Sequence, residues 1–413
     1  MSQLQSLKTR KSEKASPSIF GPAALLILSV CVAWALISVA PIWKYLSHTK
    51  AIAAMLLGLL SIALGMYWLG PLNRRHRQIG IAWFVLLFLT LTAAFTVLYP
   101  ISLKHTLNGG SDREDALRIE LNAVQHHQYP YDARTYLHNP PTPLPGALLL
   151  AAPFYALGHI AWQNFLWYPL FFFFAVHFFR YRATALFFLA VFLLFAPANL
   201  SDFTSGGDYL TNFFYISIAV ALFTSALDRS FYACCIPAAL FLGVALSSRI
   251  LYVFILIPLL ALTLQRTSRS RTVLLFCIVL LTAAAITLPI FTPHPVTHLL
   301  QQLSQNSGKL LYIPSSLHAQ QTLPLLAALA ACIAFFMRMD LPRLFLTFSI
   351  SSFFIVAPPV AALTIHSGKP VYEFSYLSIC ILSFALWALS QYEPAPTARI
   401  AQDEVINSKP QTP

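Results

Sequence analysis

The chain has 413 residues, of which 58% are hydrophobic and only 10% charged, with a mean hydropathy of +0.68. Soluble proteins carry about 25% charged residues, so this composition excludes a soluble enzyme, a disulfide scaffold and a disordered regulator. The formal charge of +12 gathers in short clusters between apolar runs: Lys8, Arg10, Lys11 and Lys14; Arg74, Arg75 and Arg77; Arg266, Arg269 and Arg271. Such clusters set membrane orientation. They form no basic face on a soluble domain, so nucleic acid is not an expected partner.

Residues 1–19 are polar and basic and read as a cytoplasmic N-terminus. The run 20–43 has the ~20 residues needed to cross hydrocarbon and no small-residue cleavage site, so it reads as a retained span. Further apolar runs follow at 51–70, 79–100, 144–160, 161–179, 183–198, 210–227, 231–247, 250–265, 273–292, 323–337, 344–365 and 371–391. Lipid offers the backbone no partners, so each run is expected to be helical. An all-α transmembrane bundle is the expected fold. The six cysteines fall within these runs without metal-ligand spacing and read as small buried hydrophobes. The run Phe171–Phe174 is expected to face lipid.

Placing the basic clusters, with Arg338 and Arg343, inside puts 101–143, 199–209, 293–322 and 366–370 outside. Walks from the two ends then disagree by one crossing around 144–179. Gly146, Pro153 and Gly158 interrupt the run 144–160, which favours a bent or re-entrant segment there. The expected total is about 12 crossings, with 13 as the alternative. Residues 20–391 form one transmembrane domain, and 392–413, with four prolines, reads as a disordered cytoplasmic tail. Both termini are expected in the cytoplasm, and short loops suggest a bacterial inner membrane.

The stretch 101–143 holds five of the fourteen acids, Asp112, Glu114, Asp115, Glu120 and Asp132, and four of the twelve histidines. A loop this long in a compact bundle is often functional. Ser111-Asp112-Arg113-Glu114 has capping-box spacing, and Leu117, Leu121 and Val124 follow at helical intervals. A short amphipathic helix on the outer surface is expected. The bland alternative is that its N-terminal acids only favour the helix dipole. The vicinal His126 and His127 point to different helix faces, so a surface pair is the simpler reading.

Gln128-Tyr129-Pro130-Tyr131 then leads to Asn139-Pro140-Pro141-Thr142-Pro143-Leu144-Pro145-Gly146 and on to Ala152-Pro153-Phe154. An acidic outer loop followed by these elements resembles the GT-C class of membrane glycosyltransferases. Thr204-Ser205-Gly206-Gly207-Asp208-Tyr209-Leu210 resembles the polar Gly-Asp loop of several such families, and Leu246-Ser247-Ser248-Arg249 their later small-residue-plus-Arg step. In this chain the acidic loop follows the third apolar run, whereas it commonly follows the first. An extra N-terminal hairpin would account for that.

The resemblance implies transfer of a sugar from a polyprenyl-phosphate donor to an acceptor hydroxyl of a glycan, lipid or protein on the outer face. Asp112 or Asp115 would accept the proton of the attacking hydroxyl. Arg249 would stabilise the departing phosphate, with Lys309, His366 and Lys369 as further cations. Tyr129, Tyr131, Asn139 and Asp208 complete the expected substrate contacts. The pattern demands no cofactor, although a divalent metal bridging carboxylate and phosphate is compatible with it. No nucleotide-binding motif is present, so a lipid-embedded donor is favoured. Two other readings stay open: a secondary transporter, and an O-antigen ligase- or polymerase-like enzyme.

Overall fold

The computed structural model describes residues 21–74, 79–104, 111–227, 232–294, 297, 300 and 310–394. The basic N-terminus and most of the proline-containing tail therefore lie outside the described residues. Among those described, every regular element is helical. In chain order these are α1 (Pro22–Tyr45), α2 (His48–Arg74), α3 (Ile81–Ser102), α4 (Arg113–Gln125), α5 (Pro145–Ala156), α6 (Gln163–Phe178), α7 (Arg182–Leu189) and α8 (Pro197–Thr204). There follow α9 (Tyr209–Leu227), α10 (Tyr232–Leu246), α11 (Leu256–Arg266), α12 (Arg269–Phe291), α13 (Ala319–Cys332), α14 (Leu341–Ser367) and α15 (Ser378–Tyr392).

The helices sort by burial. In α9, 78% of the apolar window is buried, against 11% in α12. Leu57, Leu281 and Phe336 are among many large apolar side chains left exposed. Water would penalise that surface by roughly 25 cal/mol per Å²; lipid would not. The chain is a multi-pass integral membrane protein. Among the described residues, eight helices are long and apolar enough to cross, or ten if each of two bent pairs is one span. The expected twelve is reached only if the two shorter apolar helices, Cys234–Leu246 and Ile250–Arg266, also cross.

The disputed run is bent, as its interruptions suggested. Helix α5 and the segment Ile160–Phe178 meet at 109°. Of the three interrupting residues, Gly158 makes the break: its φ of 81° is left-handed backbone that glycine adopts without steric cost. Pro153 stays within α5. The Phe171–Phe174 run departs from expectation. Phe171, Phe172 and Phe174 are buried, with Phe171 stacked 4.0 Å from Phe214, and only Phe173 is exposed. A helix has one lipid face, and four consecutive residues span too wide an arc to share it.

The second bend, 73° between Arg182–Leu194 and Pro197–Thr204, shows how a break is tolerated inside an apolar bundle. Pro197 opens α8 and forces Ala196 to extend (ψ 106°), which frees carbonyls of the preceding turn. Asn199 Nδ2 donates to Phe192 O at 2.7 Å, and Trp34 Nε1 donates to Phe195 O at 2.9 Å. Asn199 Oδ1 accepts from Ser378 Oγ at 2.6 Å. Asn199 thereby ties α15 to the break.

Hydrogen bonds fix the two ends of the bundle. At one, Asn73 meets Thr184, Glu393 accepts from the backbone N–H groups of Arg180 and Tyr181, and Gln265 meets Met337 and Met339. At the other, Leu144 and Gly146 donate to Ser248 and Ser247 carbonyls, beside the 205–208 turn and α4. Asn199→Leu keeps similar volume but leaves the Phe192 carbonyl and Ser378 hydroxyl unpaired. It should cost about 1–3 kcal/mol, read as a lowered thermal unfolding midpoint in detergent, whereas the exposed Leu57→Ala should leave that midpoint almost unmoved.

Candidate functional site

Helix α4 lies across the loop end with Ala116, Leu117, Leu121 and Ala123 buried, Leu117 and Leu121 packing on Leu148, Ala151 and Ile160. The expected capping box does not form. Asp112 holds the N-cap position without a side-chain cap, and Glu114 turns to the Tyr99 hydroxyl (2.9 Å) and Arg118 (2.7 Å). Burial pushes the Glu114 carboxyl above its ordinary range, opposed by those two partners.

The two proposed bases sit at the start of α4 and fasten the chain that follows it. Asp112 Oδ2 accepts from Thr135 Oγ1 at 2.6 Å and Asn139 Nδ2 at 2.9 Å. Asp115 Oδ2 accepts from the Tyr136 N–H at 2.9 Å. Both are half-buried, and each uses one carboxylate oxygen for these bonds. Asp115 also lines a small cleft of about 40 Å³ with Ser111, Glu114, Arg118 and Ser205. Tyr129 and Tyr131 are packed rather than displayed: both rings contact Phe291 at the end of α12, Tyr131 stacking at 5.4 Å.

Asp208 and Arg249 are joined. The Arg249 Nη2 donates to both Asp208 oxygens at 2.9 and 2.8 Å, and its Nη1 donates to Thr142 Oγ1 at 2.9 Å. Asn212 Nδ2 donates to Asp208 at 2.7 Å. A second ion pair, Arg113–Asp202, stands alongside, and Asp202 also accepts from the Leu210 N–H. Between the pairs lies Tyr209, with the Arg113 guanidinium 4.7 Å and that of Arg249 5.8 Å from its ring centroid. The double glycine explains how the turn fits. Gly206 has φ 71°, and a Cβ there would come within 2.6 Å of Glu114 Oε2; one on Gly207 would come within 2.3 Å of Asp202 Oδ1.

Of the loop acids to which the sequence assigned no role, Glu120 is the most deeply buried. It is fully buried (0% exposed), and neither carboxylate oxygen has a hydrogen-bond partner among the described residues. Burial raises its pKa well above the ordinary carboxylate range; Arg249 pulls it down and Asp208 pushes it up. Burial and Glu120 likewise raise the Tyr131 phenol. Other buried polar atoms nearby also lack partners among the described residues: the Tyr131 and Tyr252 hydroxyls, Arg249 Nε and Asn212 Oδ1. Acceptors and donors thus crowd unpaired around one buried ion pair, where unpaired polar groups are costly. The signal was present in the pattern, since Glu120 falls between Leu117 and Leu121 on the apolar face of α4.

His366 and Lys369 are exposed at the same end; His366 stacks on Tyr312 at 4.1 Å, and neither bonds to the cluster. Lys309 lies outside the described residues. Among the described residues no three His, Cys, Asp or Glu side chains gather where they could hold a metal ion. No family model matches the chain, and no curated protein or solved structure matches it.

The raised pKa of Glu120 has a signed consequence. Between its ordinary value of 4.5 and its raised native value, the folded protein holds a proton that the unfolded chain has lost. Stability from this group is full below 4.5 and falls as pH rises through the native pKa. Glu120→Gln should lessen the loss of thermal stability between pH 4.5 and 8 relative to wild type. Parallel melting curves for the two proteins across that range would show that Glu120 carries no such proton.

Proposed function

We propose that this protein is a GT-C-like membrane transferase, moving a sugar from a polyprenyl-phosphate donor to an acceptor hydroxyl at the loop end of the bundle. The observation that carries the reading is the polar cluster beneath α4: a buried Arg249–Asp208 pair ringed by hydroxyl, amide and carboxyl groups without protein partners. A polyhydroxyl ligand bearing a phosphate matches that mixture of donors and acceptors. An apolar ligand does not.

In this reading Asp112 or Asp115 accepts the proton of the acceptor hydroxyl as its oxygen bonds to the sugar's anomeric carbon. The bond from that carbon to the phosphate oxygen breaks, and its electrons leave with the lipid phosphate. The developing charge is met by Arg249, a guanidinium that stays protonated and retains an Nε without a protein partner. Thr135, Asn139 and Tyr136 orient the two carboxylates. Donor and acceptor would both reach the site from the membrane or its surface, which accords with apolar helix faces on the surrounding bundle. The outer leaflet of a bacterial inner membrane is the proposed location.

One observation favours a second reading. A buried, unpaired carboxyl beside an Asp–Arg pair is also how a proton-coupled transporter would hold its proton. The two readings separate in one experiment on protein in nanodiscs supplied with radiolabelled polyprenyl-phosphate hexoses and pentoses. Transfer or donor hydrolysis in wild type, reduced at least ~100-fold in Asp112→Asn/Asp115→Asn with folding intact, supports the transferase. Full activity in that double variant would overturn the assignment of the base. Neither turnover nor donor binding, together with counterflow of labelled sugar in proteoliposomes, would move the assignment to transport.

A further inference from the structure

The opposite end of the bundle holds a cavity that the transferase reading does not use. It has a volume of about 660 Å³ and is lined by Gln265, Arg266, Arg338, Met339, Asp340 and Arg343. Gln265, near the end of α11, clamps the strap leading into α14: its Nε2 donates to Met337 O and its Oε1 accepts from Met339 N–H, both at 2.8 Å. The clamp holds the intervening Arg338 on the cavity wall with Arg266. Arg343 is oriented in turn, its Nη1 donating to Arg338 O at 2.6 Å.

Asp340, the carboxylate among the lining residues, accepts the Arg343 N–H at the start of α14 (2.8 Å), leaving a long 3.8 Å approach to the Arg343 side chain. Among the described residues the Arg338 guanidinium has neither a hydrogen-bond nor an ion-pair partner, and it is exposed. A positive cluster that only oriented the chain would need neither a cavity nor a clamp. Beside the cavity the surface turns apolar, with Phe335 45%, Phe336 90% and Leu264 40% exposed. A phosphate group suits planar guanidiniums, and an acyl chain suits the exposed phenylalanines.

We propose that this cavity is a binding site for the phosphate headgroup of an anionic phospholipid, with Arg338 and Arg343 as its ligands and Phe335 and Phe336 against the acyl chains. Basic pockets at helix ends bind such headgroups by this chemistry. The proposal stands apart from the transferase reading, since it concerns the other end of the bundle and its test needs no turnover.

The test is lipid retention by native mass spectrometry of the purified full chain, with dioleoyl phosphatidylglycerol, dioleoyl phosphatidylcholine and glycerol 3-phosphate as probes. Wild type should retain phosphatidylglycerol over phosphatidylcholine by about tenfold or more. Arg338→Gln/Arg343→Gln should abolish that preference, while the charge-matched Arg180→Gln/Arg269→Gln keeps it. Arg338→Gln alone, which breaks no bond among the described residues, should weaken it and guards against a folding defect in the double variant. Equal loss in the charge-matched control would show diffuse surface attraction and overturn the site. Glycerol 3-phosphate displacing the lipid at comparable concentration would assign the cavity to a water-soluble phosphate compound instead. Equal retention of the two lipids by wild type would overturn the proposal outright.

Discussion

The loop end of this bundle is organised around the buried ion pair between Asp208 and Arg249. Removing two charges from water costs several kcal/mol for each ion, and attraction offsets that cost only with good geometry and further hydrogen bonds. Here Arg249 meets both Asp208 oxygens, Asn212 supports the carboxylate and Thr142 takes the other guanidinium nitrogen. Each bond recruits a different piece of chain: the 205–208 turn, α9, the proline-rich run before α5 and the break after α10. The neighbouring Arg113–Asp202 pair adds the first residue of α4. Segments more than a hundred residues apart are thus held at one place by charges that cannot be left unpaired.

The same requirement governs the backbone. Where α7 and its continuation give way to α8, the freed carbonyls are answered by Asn199 and Trp34, because the bundle interior offers no water to do it. Where α5 turns into α6, the chain N–H groups at Gly158 and His159 close onto Tyr155 and Phe154. The bends are local events with their hydrogen bonds accounted for. They let two apolar runs change direction beneath the loop without opening the core.

Much of this was legible in the sequence. Depleted charge and recurring apolar runs gave the membrane bundle, and the amphipathic spacing of Leu117 and Leu121 gave α4. The interruption of 144–160 marked the first bend. The pairing of Asp208 with Arg249 was not legible, because 41 residues separate them and nothing in either motif states its partner. Tyr129 and Tyr131, expected as substrate contacts from the resemblance, pack on Phe291, a partner that nothing in their motif announces. The Phe171–Phe174 run misled for a related reason: aromatic composition fits lipid and core equally, and only helix phase decides. His366 and Lys369 shared a predicted side with Arg249 and lie exposed at that end, yet sharing an end of a bundle is far weaker than sharing a site.

Helix α4 presents its acids in two directions, and that division bears on what each can do. Asp115 and Glu120 are five residues apart, which places them about 140° apart around the axis. Asp115 is bound to the 135–139 segment at the surface, whereas Glu120 is sealed among Tyr131, Arg249 and Asp208. A base must exchange protons with its surroundings, which the half-buried pair Asp112 and Asp115 can do without moving the helix. Glu120 can do so only if α4 shifts or a ligand enters beneath it. Helix α4 therefore borders both places, with Glu120 on the side of the buried ion pair and Asp115 on the side of the outer cleft.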